Sequence, residues 1–154
     1  MIEAAGDYDN DGVPDLMARA VTGELLLYPM TRALGFKRPT TIGVGWQGMQ
    51  SVTGVGAFDG DAMGDVIALR SSDHSMVLYH GGGSAGLRYV SVLATAQKDL
   101  VQILGMGDYN GDGTADVMGR SSTGSLWVYP GNGKGGLAAR QPVRGGEGSG
   151  HVLG

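Results

Sequence analysis

Short apolar stretches alternate with polar, glycine-rich segments along the whole chain. The apolar stretches are only about four to eight residues long, and turn-forming residues separate them at intervals of about 8–12 residues. This spacing is typical of short antiparallel β-strands. Gly makes up 30 of the 154 residues, and each Gly inside a helix costs about 1 kcal/mol relative to Ala. The pattern therefore predicts an all-β protein without long helices.

One pattern of about 50 residues occurs three times. Each copy has an acidic loop that ends in Asp, an apolar stretch, a turn, and a second apolar stretch that ends in Tyr. The loop-ending residues are Asp15, Asp65 and Asp116, and the strand-ending residues are Tyr28, Tyr79 and Tyr129. The distance from Asp to Tyr is one residue longer in the middle copy. We place the extra residue in the turn at residues 71–74, because turns tolerate insertions.

Each copy reads as four short strands, which is the make-up of one propeller blade. Strand one precedes the acidic loop (52–57, 101–107), strand two follows it, strand three ends at the Tyr, and strand four follows a glycine-rich loop (88–93). We predict a single array over residues 1–154, with repeats at about 1–50, 51–100 and 101–150. Residues 151–154 match the start of a further strand one. Three blades cannot close a propeller, so closure requires oligomerisation or further blades.

The composition argues against several classes of function. With Lys+Arg 11 against Asp+Glu 15 the net charge is −4, and no basic patch stands out, so we expect neither nucleic acid binding nor membrane insertion. The absence of Cys excludes disulfides, thiolate metal sites and cysteine nucleophiles. We find no catalytic motif and predict that the chain is not an enzyme. His74 is adjacent to Asp73 in the sequence, but adjacency does not make a catalytic triad.

The acidic loops follow the pattern Asp-x-Asp/Asn-x-Asp-Gly-x-x-Asp. Alternate positions aim oxygen ligands inward and Gly at position six allows a sharp turn, as in the first nine positions of an EF-hand loop. The flanking segments are strands and the Glu at position twelve is missing, so these are not EF-hands. Oxygen-only ligands select a hard cation, and a flexible protein shell favours Ca²⁺ over Mg²⁺. We therefore predict calcium as the bound ion.

The three loops differ in the residues that they offer as ligands. The first loop contributes Asp7, Asp9, Asp11 and Asp15; the second Asp59, Asp61 and Asp65; and the third Asp108, Asn110, Asp112 and Asp116. The second loop has Ala57 at position one and Ala62 at the Gly position. We expect it to bind calcium weakly or not at all.

The triplicate loops, the repeat length and the Tyr-ended strands resemble the FG-GAP repeats of integrin-α-type propellers, also called VCBS repeats. The segments 107–120 and 126–136, together with residues 43–46, are most similar to repeats of secreted bacterial proteins. The resemblance implies a secreted propeller with structural calcium ions. It also implies that Val13 and Thr114 offer backbone carbonyls as ligands.

One aromatic residue is a candidate for ligand binding. Trp46 lies in a glycine-rich loop, and the matching residues of the other repeats are Gln97 and Glu147, so the fold does not require an aromatic ring there. We expect an exposed Trp46 to act as a stacking platform for a sugar. By contrast, Trp127 matches Leu26 and Val77, which predicts a core position.

These observations predict an extracellular binding module that calcium stabilises and that recognises a glycan or a protein partner through its blade loops. The alternative is a structural spacer or docking propeller within a larger secreted hydrolase or toxin. Two chains could also complete a six-bladed ring as a homo-oligomer.

Overall fold

The computed structural model describes residues 1–143, except the side chain of Ser84. It contains twelve strands in three four-stranded antiparallel sheets and no α-helix in this part of the chain. The first sheet contains β1 (Ile2–Gly6), β2 (Asp15–Arg19), β3 (Leu25–Tyr28) and β4 (Thr40–Gly43). The second contains β5 (Met49–Gly56), β6 (Asp65–Arg70), β7 (Met76–Gly81) and β8 (Leu87–Ala94). The third contains β9 (Leu100–Gly107), β10 (Asp116–Ser121), β11 (Leu126–Tyr129) and β12 (Gln141–Pro142).

Each repeat folds as one sheet, with its strands in sequence order. The prediction of three blade-like, four-stranded antiparallel sheets is therefore confirmed. The extra residue of the middle repeat also lies in the predicted turn. Leu69 pairs with Met76 across it, whereas the matching pairs Arg19–Leu25 and Arg120–Leu126 enclose one residue fewer. The predicted strand at 151–154 lies outside the described residues.

The sheets stack through their first strands, so that β5 lies between β1 and β9. The backbones approach closely there, because a Cβ atom at Gly54 would lie 2.7 Å from the carbonyl oxygen of Ala5. Side chains also link the strands, since the Thr53 hydroxyl accepts a hydrogen bond of 3.0 Å from the backbone N–H of Gly105. Side-by-side first strands are the arrangement expected at the inner edge of successive blades.

Two hydrophobic cores fill the spaces between neighbouring sheets. Strand β6 serves both: Val66 packs towards the first sheet, and Ile67 packs towards the third. Because the middle sheet is covered on both faces, the residues of β6 from Asp65 to Leu69 are all buried. Residues 1–143 cover the outer sheets on one face only, and β2 and β10 alternate more between buried and partly exposed positions.

The two outermost faces carry exposed apolar side chains. On the first sheet Ile2 is 72% exposed, and it lines an apolar groove together with Leu16, Ala18, Tyr28 and Phe36. On the third sheet Leu104 and Leu126 are exposed beside Met118. No helix among the described residues is long and apolar enough to cross a membrane.

One repeated aromatic position is buried in the second repeat and exposed in the third, because of the way the sheets stack. Phe58 and Tyr109 occupy the same position in the second and third loops, but Phe58 is 1% exposed beneath the next sheet and Tyr109 is 51% exposed. We expect Phe58→Ala to lower the free energy of unfolding by about 3–5 kcal/mol, because it leaves a cavity. The measurement is urea denaturation of the purified chain.

Tyr109→Ala is the matched control, and it should change the free energy of unfolding by no more than about 0.5 kcal/mol. If Phe58→Ala does not fold, the smaller change Phe58→Leu should still cost more than Tyr109→Ala. Equal losses of unfolding free energy at positions 58 and 109 would contradict the burial of Phe58 between the second and third sheets.

Candidate metal centres

Each acidic loop is closed by a buried aspartate at position nine. The third loop shows the arrangement: one carboxylate oxygen of Asp116 accepts hydrogen bonds from the N–H groups of Tyr109 (3.1 Å) and Asn110 (3.2 Å). The other oxygen accepts one from the N–H of Gly131 (2.9 Å), just beyond β11. One side chain therefore holds the loop, the start of β10 and the end of β11 together.

The other two repeats contain the same three hydrogen bonds. Asp15 accepts from the N–H groups of Tyr8, Asp9 and Met30, and Asp65 accepts from those of Phe58, Asp59 and Gly81. All three aspartates are at most 1% exposed. A buried carboxylate is tolerated only where hydrogen bonds replace its lost hydration. The sequence predicted these aspartates as ligands, but it did not indicate this role in fastening the backbone.

The Asp65 carboxyl lies among other carboxylates. Burial raises the pKa of the Asp65 carboxyl, and the nearby carboxylates of Asp59 and Asp61 act in the same direction. The hydrogen bond from the N–H of Gly81 opposes this shift. A cation near the second loop would therefore relieve repulsion among carboxylates.

The first loop brings together three of its predicted ligands. Asp7, Asp9 and Asp15 each offer an oxygen, and these oxygens all lie within 4.8 Å of one another. Asp7 is fixed by the backbone, since its two oxygens accept hydrogen bonds from the N–H groups of Asp11 (3.0 Å) and Gly12 (2.9 Å). This group of carboxylates could hold a metal ion.

A lysine that the sequence reasoning missed also lies at the first loop. The ammonium of Lys37 is 3.3 Å from a carboxylate oxygen of Asp9 and also contacts Asp11. The hydrogen bond between Lys37 and Asp11 lowers the pKa of the Asp11 carboxyl and raises the pKa of Lys37. Lys37 lies 22 residues beyond Asp15 in the sequence, so no motif indicated that it would reach the loop.

The third loop has the same backbone arrangement with a different ligand set. Asp108 accepts hydrogen bonds from the N–H groups of Gly111, Asp112 and Gly113. The Asp112 carboxylate accepts hydrogen bonds from the hydroxyl of Thr114 (2.5 Å) and from the side-chain amide of Asn110 (2.9 Å). These hydrogen bonds lower the pKa of the Asp112 carboxyl. Thr114 and its counterpart Val13 also donate their N–H groups to the position-five aspartates.

The second loop brings a histidine to its aspartates. Asp59, Asp65 and His80 each offer a ligand atom within 4.8 Å of the other two. The sequence analysis placed Asp59, Asp61 and Asp65 here but did not include His80, which lies in β7 directly after Tyr79. This second group could also hold a metal ion.

No protein-family model matches this sequence, and no curated protein matches it at a significant level. The assignment of chemistry to the loops therefore depends on their geometry and on their donor atoms. In the first and second loops three ligand atoms converge in each case and could hold a metal ion.

The expectation that Trp46 is exposed is wrong. Trp46 is 4% exposed and belongs to the core between the first and second sheets. Its ring packs on Tyr79, with 4.6 Å between the ring centroids. The backbone around it is held by Arg19, whose guanidinium donates to the carbonyl oxygens of Trp46 (2.9 Å) and Met49. In this position the indole has no free face for a sugar.

The same contact between repeats recurs one blade further along. Tyr129 matches Tyr79 and Gln97 matches Trp46, and the Tyr129 hydroxyl donates a hydrogen bond of 2.6 Å to the side-chain oxygen of Gln97. The repeated Tyr therefore packs against the loop of the preceding repeat in both described interfaces. Trp127 is partly buried against the second core, as predicted, and Arg140 stacks on its ring at 4.3 Å.

The neighbours Asp73 and His74 do not interact as a catalytic pair would. Both oxygens of Asp73 accept hydrogen bonds from the guanidinium of Arg70, at 2.9 and 2.6 Å. This hydrogen-bonded ion pair lowers the pKa of the Asp73 carboxyl. Asp73 thus fastens the β6–β7 turn.

The buried aspartates give a prediction that does not depend on metal. Replacing Asp116 by Asn should lower the free energy of unfolding by about 1–3 kcal/mol, because the amide group cannot accept all three N–H groups. The measurement is urea denaturation in the presence of a chelator. Asp99→Asn is the control, since Asp99 is an exposed partner of Arg140, and its cost should stay below about 1 kcal/mol. Similar costs for the two variants would refute the role of Asp116.

Proposed function

We propose that this chain is a calcium-stabilised extracellular binding module of the FG-GAP type. The observation that carries the proposal is the convergence of Asp7, Asp9 and Asp15 in a loop whose backbone arrangement recurs in the third repeat. The donor set of the first loop consists of oxygens only, which favours a hard cation. The third loop adds the Asn110 amide oxygen, which is also a common calcium ligand.

Calcium would act by joining carboxylates that otherwise repel one another. Asp7, Asp9 and Asp11 lie on a single turn, and one cation shared among them fixes that turn beside the buried Asp15. A rigid turn then holds the edge of its blade, from which the neighbouring loops can present a surface. We propose a glycan or a protein as the ligand of that surface, on the strength of the family resemblance.

The exposed end faces favour a second candidate function, docking. Apolar positions that are buried between the sheets elsewhere lie open at the two ends, as the contrast between Phe58 and Tyr109 illustrates. Exposed apolar sheet faces of this kind are typical of interaction sites. In this alternative the chain is a spacer or docking propeller of a larger secreted protein, or closes a ring with a second copy.

Calcium binding is the first test. In isothermal titration calorimetry we expect about two tightly bound calcium ions per chain, with Asp7→Asn and Asp108→Asn each removing one. Calcium at 100 times its Kd should raise the free energy of unfolding by about 2.7 kcal/mol for each site. Binding that only Asp59→Asn removes would contradict the proposed order of the loops.

Lys37 provides a second test at the first loop. We expect Lys37→Met to raise calcium affinity there by about two- to fivefold, because the exposed ion pairs with Asp9 and Asp11 no longer compete with the ion. The titration is made in the Asp108→Asn background, in which the third loop is disabled. Lys98→Met is the control and should leave the affinity unchanged. A fall in affinity for Lys37→Met would show that the lysine assists binding.

Two measurements together separate the candidate functions: a glycan array reports ligand binding, and native mass spectrometry reports self-association. Binding to a glycan array in calcium that is lost after chelation supports the binding module, whatever the oligomeric state. Self-association that is abolished by Ile2→Asp, together with no glycan binding, supports docking.

A further inference from the structure

The middle repeat has lost one ligand of the calcium pattern. Ala57 stands where the other loops have Asp7 and Asp108. In those loops Asp7 accepts hydrogen bonds from two backbone N–H groups and Asp108 from three. The methyl group of Ala57 can neither accept hydrogen bonds nor bind a cation, so the second loop is one oxygen donor short.

The same repeat has gained a different ligand. His80 follows Tyr79, whereas Pro29 and Pro130 follow the matching tyrosines of the other repeats. His80 lies in β7, directly before Gly81, whose N–H donates a hydrogen bond to Asp65. The β7 backbone therefore brings the imidazole to the loop that lacks its first carboxylate.

The imidazole faces the aspartates of that loop. Its Nδ1 atom is 2.5 Å from an oxygen of Asp59, 3.5 Å from one of Asp65 and 3.8 Å from one of Asp61. Asp65 is fully buried, and the side chains of His80 and Asp59 are 26% and 12% exposed. One nitrogen and the carboxylates of Asp59 and Asp65 thus surround one small volume, and Asp61 approaches the imidazole from its edge.

The two atoms of the shortest contact do not satisfy each other as a hydrogen bond would. The Nδ1 atom of His80 and the Oδ2 atom of Asp59 are inaccessible to solvent and 2.5 Å apart, yet among the described residues neither makes a hydrogen bond of acceptable geometry. Buried polar atoms without a hydrogen bond are rare, and a bound ion is one explanation for them. This observation is independent of the spacing of acidic residues in the sequence.

We propose that the second loop binds a transition-metal dication of the Zn²⁺ class through His80, Asp59 and Asp65. Imidazole nitrogen is a preferred ligand of Zn²⁺, Ni²⁺ and Cu²⁺, whereas calcium takes oxygen ligands. Asp61 is near enough to provide a fourth ligand. The proposal does not depend on calcium binding at the other two loops.

The distances suit a small ion. Zn²⁺ bonds to nitrogen and oxygen at about 2.0–2.2 Å, so the ligand atoms of a tetrahedral site are about 3.3–3.6 Å apart. The distance from His80 Nδ1 to Asp65 Oδ1 already falls in that range, and the distance from His80 Nδ1 to Asp61 Oδ2 exceeds it slightly. Asp59 must move away from His80 by about 1 Å to admit the ion, and a side-chain rotation at a partly exposed position can supply that shift.

The experiment is a titration of the full chain with Zn²⁺ in the presence of saturating Ca²⁺, which occupies any oxygen-only site. We expect one Zn²⁺ per chain by calorimetry. Substituting Co²⁺ should give the visible absorption of a tetrahedral nitrogen–oxygen site. In ¹⁵N NMR the imidazole Nδ1 of His80 should shift on Zn²⁺ addition, a readout that needs no variant.

His80→Gln should lower Zn²⁺ affinity at least about 100-fold, the loss expected for a direct ligand given the about 10–100-fold effects of indirect ones. It should leave calcium binding unchanged. The matched control is His74→Gln, because His74 lies in the β6–β7 turn away from the acidic loops, and this variant should bind Zn²⁺ normally.

Three results would overturn the proposal. They are the absence of stoichiometric Zn²⁺ binding, Zn²⁺ binding that survives His80→Gln, and calcium binding in the second loop that excludes Zn²⁺. The first would mean that the imidazole itself acts as the counter-ion of Asp59. Absence of calcium binding at the first and third loops would refute the proposed function but leave this result intact, since His80→Gln locates the zinc site separately.

Discussion

A buried aspartate carboxylate with three backbone N–H donors is the interaction on which each repeat depends. Asp15, Asp65 and Asp116 each join an acidic loop to the end of the third strand of their sheet. The carboxylate is shielded from solvent, and its hydrogen bonds are charge-assisted, which makes them stronger than those between neutral groups. The loop conformation is therefore built into the polypeptide, and a cation would add to a turn that already exists.

The stacking of sheets gives the same sequence pattern different environments. The middle sheet is covered on both faces, so β6 is buried from Asp65 to Leu69, whereas in the described part of the chain the outer sheets each leave an apolar face open. Phe58 and Tyr109 show the effect at one repeated position. Burial at this position is decided by whether a neighbouring sheet covers it.

The three loops have diverged in chemistry while keeping one backbone framework. The first adds Lys37 as an internal cation beside Asp9 and Asp11. The third replaces a carboxylate by Asn110, and the second replaces one by Ala57 while gaining His80. Because the buried aspartate maintains the turn in every case, the other loop side chains can differ without loss of the turn.

The sequence by itself determined the number of repeats, the order of strands and the position of the acidic loops. These features are local or periodic: alternation, turn residues and the Asp spacing all act within a few residues of one another. Only the tertiary structure decided the burial of Trp46 against Tyr79, the approach of Lys37 to Asp9 and the meeting of His80 with Asp59. Each of these contacts joins residues more than 20 positions apart. They depend on how strands pair and sheets stack, and neither residue type nor spacing along the chain specifies that.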